Sequence, residues 1–110
     1  MDNTKIDSYY VEKIIADLEF IIAHTKDYSK EQLENEEVLL DSVMFRLIQI
    51  SENSGKLTND FKQQHSSIPW RDIKGLRNRI VHQYGSVDTS IVYSTVKKDV
   101  PELLNILKDL

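Results

Sequence analysis

Apolar residues recur along this chain at three- and four-residue steps, and no segment alternates with the two-residue period of a strand. Ile6, Tyr10, Ile14, Leu18, Ile21 and Ile22 form one stripe and predict a first helix from about Thr4 to about His24. Glu12, Lys13, Asp17 and Glu19 take its other side, and Thr4 followed by Asp7 is a weak start signal. Ser29 with Gln32 three residues on is a capping-box pattern. It opens a second helix read as continuous from about Lys30 to about Leu57. The buried face of that helix is Leu40, Val43, Met44, Leu47, Ile48 and Ile50. Thr58 to Ser67 is polar around Phe61 and reads as a loop or a frayed turn. Ser67 is a fair cap for a third helix, with Pro69 in its first turn and Trp70 as a packing anchor. Ile73, Leu76, Ile80 and Val81 give that helix a narrow stripe, and Gly85 suits a left-handed end. Asp88 caps a fourth helix, about Thr89 to Leu110, with Val92, Val96, Val100, Leu103, Leu107 and Leu110 on one side. Pro101 lacks the donor that would reach Lys97, which predicts a kink or break near Asp99-Val100.

Four amphipathic helices with short connections make an all-α antiparallel bundle, a single domain over residues 1–110. A domain of this size buries about 65 % of its extended-chain surface, and bundles of this kind recover more by self-association. The polar start Met1-Asp2-Asn3-Thr4-Lys5 has no signal pattern, and no apolar run is long enough for a membrane span. Cysteine is absent, so there is no disulfide framework and no thiolate metal site. These features fit a cytoplasmic location with no membrane contact.

The formal charge of -4 argues against a nucleic-acid binder, but the charge is unevenly placed. Glu31 to Asp41 holds five acids (Glu31, Glu34, Glu36, Glu37, Asp41) and no base, a run that the bland reading makes a solvated helix face. Trp70 to His82 holds four bases (Arg71, Lys74, Arg77, Arg79) and one acid, Asp72. A local cationic patch matters more to a phosphate than net charge does.

At the end of that basic segment Arg77, His82 and Tyr84 fall in eight residues, with Asn78 and Arg79 among them. Arginine binds phosphate bidentately, and histidine near neutral pH can take a proton from a ribose 2′-hydroxyl or give one to a leaving oxygen. Together they suffice for metal-independent cleavage of RNA, with the arginine stabilising charge on the phosphoryl oxygens. Asn78 is placed to orient the histidine or contact phosphate. The alternative is structural: His82 caps the helix end and Arg77 pairs with Glu52 or another acid. Glu52 either faces solvent, the ordinary state of a carboxylate, or meets this stretch. Three scattered histidines make no metal pattern, and no cofactor is implied. On a straight helix Arg77 and Tyr84 lie within about 20° of each other, whereas His82 is about 140° from Arg77. The helix must loosen near His82, or a second copy must bring Arg77 and His82 into one cleft.

The stretch from Ile68-Pro69-Trp70 through Arg77-Asn78, His82 and Tyr84, followed by Val87-Asp88 and Pro101-Glu102-Leu103, resembles the HepT-like proteins of the HEPN superfamily, formerly a domain of unknown function. The resemblance spans essentially the whole chain, and the family motif, Arg, four residues, His, one residue, Tyr, is complete. It implies a bundle of four to five helices that dimerises around the motif. It implies the toxin of a type VII toxin–antitoxin pair of the HepT/MntA type, an endoribonuclease with Arg77 and His82 as catalytic residues and Asn78 and Arg79 as auxiliaries. It also implies a minimal nucleotidyltransferase antitoxin that adenylylates Tyr84. Two departures stand out: Gly85-Ser86 follows the tyrosine where the family often has an aromatic, and Ser51 precedes Glu52 where it often has glycine. The competing readings are a non-catalytic nucleotide-binding or helical partner subunit of such a transferase, and a simple dimerising bundle.

Overall fold

Helix α1 (Asn3–Thr25) turns Ile14, Leu18 and Ile21 fully inward, and the other elements assemble on that stripe. The computed structural model describes residues 3–110, with side chains from residue 6. Met1 and Asp2, and any cap by the Thr4 side chain, lie outside the described residues. Three short and two longer helices follow in order: α2 (Lys30–Asn35), α3 (Glu37–Gly55), α4 (Asn59–Gln64), α5 (Trp70–His82) and α6 (Thr89–Ser94). The last runs on through a π turn, Thr95–Asp99, into α7 (Val100–Lys108). Every regular element among the described residues is helical, and none is a strand, as the periodicity requires.

Cross-helix bonds give the topology. Asp7 of α1 meets Thr58 just beyond α3, while Asp17 meets Arg46, so α1 and α3 run antiparallel. Arg77 meets Glu52 and Tyr84 meets Asp41, so α5 runs back along α3. Lys97 donates to the Thr25 carbonyl at 2.6 Å and Lys108 to Glu19 at 3.2 Å, which lays the last helix antiparallel to α1. One core unites Ile14, Leu18 and Ile21 with Val43, Leu47, Ile50, Ile80, Val92, Val96 and Leu107.

Several expectations from sequence are corrected. The second helix is two: Ser29 and Gln32 form the capping box, but the chain leaves helical geometry at Glu36 (φ -104°, ψ 77°) and restarts as α3. Five acids within eleven positions do not favour an unbroken exposed helix, and the break lets Leu33 swing fully into the interior. Asp17 is buried rather than outward, because Arg46 pairs with it at 2.8 Å while stacking 3.8 Å from the Phe20 ring centre. The Thr58–Ser67 segment contains α4, whose cap Thr58 is itself gripped by Asp7 through both its amide (2.9 Å) and its hydroxyl (2.7 Å). Asp7 thus caps a partner helix, not its own.

Helix α5 starts at Trp70 with Pro69, not Ser67, at its cap, and no side chain closes it. It ends at His82 without a left-handed glycine: Gly85 lies in the 3-10 turn Tyr84–Ser86, and no described residue has positive φ. Val81 is exposed instead of joining the stripe. Near Asp99-Val100 the chain does not break, but its α-helical turn gives way to the π turn Thr95–Asp99. The Val100 amide bonds Thr95, five residues back, and this wider turn absorbs one extra residue where proline offers no donor. Val92, Val96, Val100 and Leu104 sit at three successive four-residue steps, which on an ideal helix drift by about 120°. The inserted residue removes about 100° of that drift, so Leu104 is buried, while Leu103 is half-buried and Leu110 exposed.

Among the described residues no helix is long and apolar enough to cross a membrane.

Candidate functional site

Helix α5 rests on Ile73, Leu76 and Ile80, of which Ile80 is fully buried. At about 100° per residue the direction opposite this face is that of Arg71, Asn78 and His82, which lie within about 40° of one another. Lys74 stands beside them. Arg77 projects from the flank toward α3 and Arg79 from the other flank. Arg79 lines a separate groove of about 800 Å³ with Asp72, Leu76 and the last helix. The one basic helix therefore presents three different surfaces, and Arg79 does not join Arg77.

Arg77 is held in place. Its Nε donates to Glu52 Oε1 at 2.7 Å, and its Nη1 donates to Asn78 Oδ1 at 3.1 Å. Of the alternatives open in the sequence, Glu52 takes both: it remains 44 % exposed and it pairs with Arg77, which is 33 % exposed. Half-exposed in this way, the pair fixes the guanidinium's direction more than it stabilises the fold. Asn78 accepts from Arg77, and among the described residues no bond joins it to His82. His82 is exposed at the final turn of α5, and no bond joins it to Arg77 among the described residues. Helical spacing already required that divergence. The helix does end at His82, yet the ending does not bring the two side chains together within one chain.

Tyr84 stands in the 3-10 turn, off the helix, so the seven-residue spacing to Arg77 no longer governs its direction. Both side chains still reach α3. The Tyr84 hydroxyl donates to Asp41 Oδ1 at 3.0 Å, eleven residues before Glu52. That spacing is about 16 Å along α3. Partial burial, then the hydrogen bond to Asp41, then the Asp41 charge hold the phenol above its ordinary value near 10.0. Asp41 was not singled out by sequence. It lies 43 residues from Tyr84 inside an acidic run, and nothing local in the sequence marks it as a partner.

Around this flank lies an exposed apolar surface. Val38 and Phe45 are 84 % and 56 % exposed on α3, and Val81 and Tyr84 are 41 % and 45 % exposed on the facing segment. Asp41 and Glu52 fix the pairing of the two antiparallel helices, which puts Phe45 level with Val81.

The geometry can therefore do the following in one chain. It can direct a guanidinium along α3, offer an exposed imidazole on the outer face of α5, and hold a phenol against a carboxylate in the turn beyond His82. A phosphodiester reaching both Arg77 and His82 needs either a side-chain rearrangement or a second copy.

The family model described as Ribonuclease HepT-like matches residues 14–110. Among curated proteins, a Caldanaerobacter subterraneus subsp. tengcongensis protein whose name proposes an RNase is 33 % identical over 101 residues, 92 % of this chain and 90 % of that one. A protein of Thermococcus cleftensis named as a probable ribonuclease HepT is 34 % identical over 94 residues, 86 % of each chain. A Methanocaldococcus jannaschii protein whose name also proposes an RNase is 30 % identical over 105 residues, covering 92 % of this chain and 90 % of its own. No solved structure matches.

Proposed function

The chain belongs to the HepT-like ribonuclease family, and on that premise we propose that it is an endoribonuclease that cuts RNA without a metal ion. The observation that carries this reading is the family match across residues 14–110, with Arg77, His82 and Tyr84 all present in it. His82 is the general base or acid, exposed where a ribose 2′-hydroxyl or a leaving oxygen can reach it. Arg77, pre-aimed by Glu52 and Asn78, stabilises charge on the phosphoryl oxygens. Since one chain holds the two apart, the working site is formed by a homodimer packed on the α3–α5 face. The exposed Phe45, Val81 and Val38 support that surface, because monomers seldom expose neighbouring large apolar groups without a use.

Tyr84 is the switch. We read it as the acceptor of AMP from ATP, transferred by a minimal nucleotidyltransferase that serves as antitoxin to this toxin. Its hydroxyl oxygen attacks the α-phosphorus, pyrophosphate leaves, and the phenolic proton passes to a base. The added phosphodiester sets an anion and bulk against Asp41 and beside the turn that follows His82. The hydroxyl's half-exposed position supports access by a partner.

The purified chain, given RNA in EDTA, is expected to cleave it, and Arg77→Ala and His82→Ala to lose that cleavage. Equal cutting by all three proteins removes the enzyme reading. Incubation with the transferase and ATP is expected to add the mass of AMP, and an adduct that persists in Tyr84→Phe rules out this tyrosine. A second reading, a non-catalytic nucleotide-binding subunit of the transferase, is favoured by the closed Arg77–Glu52 pair. It predicts no cleavage by any of the three proteins.

A further inference from the structure

A second groove, of about 500 Å³, runs between the C-terminal turn of α3, α4 and the outer face of α5. Its walls carry Lys62, Arg71, Lys74 and Arg77. Arg77 is neutralised by Glu52, the only carboxylate lining it. Lys62, Arg71 and Lys74 have no carboxylate within ion-pair distance among the described residues, in a chain with 18 acids and a formal charge of -4. Three unpaired cations converging on one concave surface are a local positive field in an acidic protein, the condition for holding a polyanion.

The groove is built, not incidental. Trp70 Nε1 donates to the Lys62 carbonyl at 3.3 Å and the Trp70 ring packs edge-on against Phe61. These contacts fasten α4 to the start of α5 and keep Lys62 beside Arg71. The opposite wall is open: a Cβ at Gly55 would meet nothing within 4 Å. Arg71, Lys74, Asn78 and His82 then follow one another along the outer face of α5 over about 16 Å, room for several successive phosphates.

We infer that this groove is a binding site for the phosphate backbone of single-stranded RNA, gripped by Lys62, Arg71 and Lys74, and that it delivers the strand to His82, an assignment that rests on the ribonuclease reading above. These three residues make no base contacts in this arrangement. They fix the strand's position and contribute a salt-dependent, sequence-tolerant part of the affinity.

The test measures binding of a labelled single-stranded RNA by fluorescence anisotropy across a salt series, in a His82→Ala background so that the strand stays intact. Arg71→Glu and Lys74→Glu together are expected to lower the salt slope by about 1.4 and weaken binding roughly 25-fold near 0.1 M salt, the effect of two lost phosphate contacts. Gly55→Glu, which adds a carboxylate to the open wall without steric conflict, is expected to weaken binding in the same direction. Lys98→Glu, an exposed cation on the π turn, lowers the net charge by more than Gly55→Glu does and is expected to leave binding within about 2-fold. Unchanged slope and affinity in the groove variants overturn the assignment, as does an equal loss in Lys98→Glu. Saturable binding of ATP but not of RNA overturns it too. Cleavage by the wild-type chain, measured alongside, separates the two levels: cutting with unaltered groove variants removes the groove alone, and neither cutting nor binding removes both.

Discussion

Carboxylates on α3 set the direction of two of the three reactive side chains. Arg77 is turned toward α3 by Glu52 at 2.7 Å. Both side chains are at least a third exposed, so the pair contributes at most about 1 kcal/mol. Arg77→Ala is therefore expected to shift the urea midpoint only slightly, while cleavage falls at least about 100-fold, the usual loss when a charge-stabilising donor is removed. Tyr84 is turned by Asp41. Tyr84→Phe removes one half-exposed hydrogen bond and is expected to cost no more than about 1 kcal/mol in denaturant unfolding. The phenol's native midpoint is raised, first by burial and then by Asp41, so the fold favours the neutral form. Any stability from this is complete below the unfolded midpoint near 10 and is lost as pH rises through the higher native one. Phenolate absorbance, taken as wild type minus Tyr84→Phe, is expected to titrate above 10.0, and Asp41→Ala is expected to lower that midpoint. A difference titration centred at the ordinary value would contradict the Asp41 contact.

At the scale of elements, polar locks between helices do what loops alone do not. Asp7, only 8 % exposed, holds Thr58, which caps α4, and α4 in turn carries Lys62. Asp7→Ala removes two hydrogen bonds and loosens a cap, with an expected loss of about 1–3 kcal/mol by thermal or urea unfolding. The π turn makes a sharper prediction. Deleting exposed Lys98 removes the extra residue and leaves Leu104 and Leu107 facing inward, since the deletion and the bulge cancel. It also forces Pro101 into a regular turn, at a cost of about 3 kcal/mol. Adding Pro101→Ala to the deletion is expected to recover most of that loss. If the double variant stays as unstable as the deletion, the π turn does not serve Pro101.

For the whole molecule, one basic helix laid across an otherwise acidic bundle separates three tasks. Its inner face is core, its α3 flank aims Arg77, and its outer face carries His82 and the groove cations. Phe45→Glu, on the exposed apolar flank, is expected to change stability by less than about 0.5 kcal/mol, as exposed substitutions usually do. In sedimentation it is expected to yield a monomer and, through it, to abolish RNA cleavage. A fully active monomer would show that Arg77 and His82 meet within one chain.

The helical class, the positions of α1, α3, α5 and the last helix, and most of their core faces follow from the three- and four-residue spacing of apolar residues. That spacing is a local property of a single helix, so it is readable without knowing what the helix packs against. The Arg77/His82/Tyr84 set and the divergence of its first two members were legible for the same reason. The break at Glu36, the burial of Asp17, the existence of α4 and the π turn were not. Each is set by a contact between distant segments: Leu33 reaching the core, Arg46 meeting Asp17, Asp7 capping Thr58, and Leu104 returning to the interior past a proline. Glu52 was a named possibility for Arg77, but Asp41 as the partner of Tyr84 was invisible, because 43 residues separate them and nothing local links their side chains. Residue spacing determined which groups this protein carries on which helix. Only the antiparallel packing of α5 against α3, with Trp70 anchoring it to α4, decided where those groups point and, among the described residues, which cations are left free in the groove.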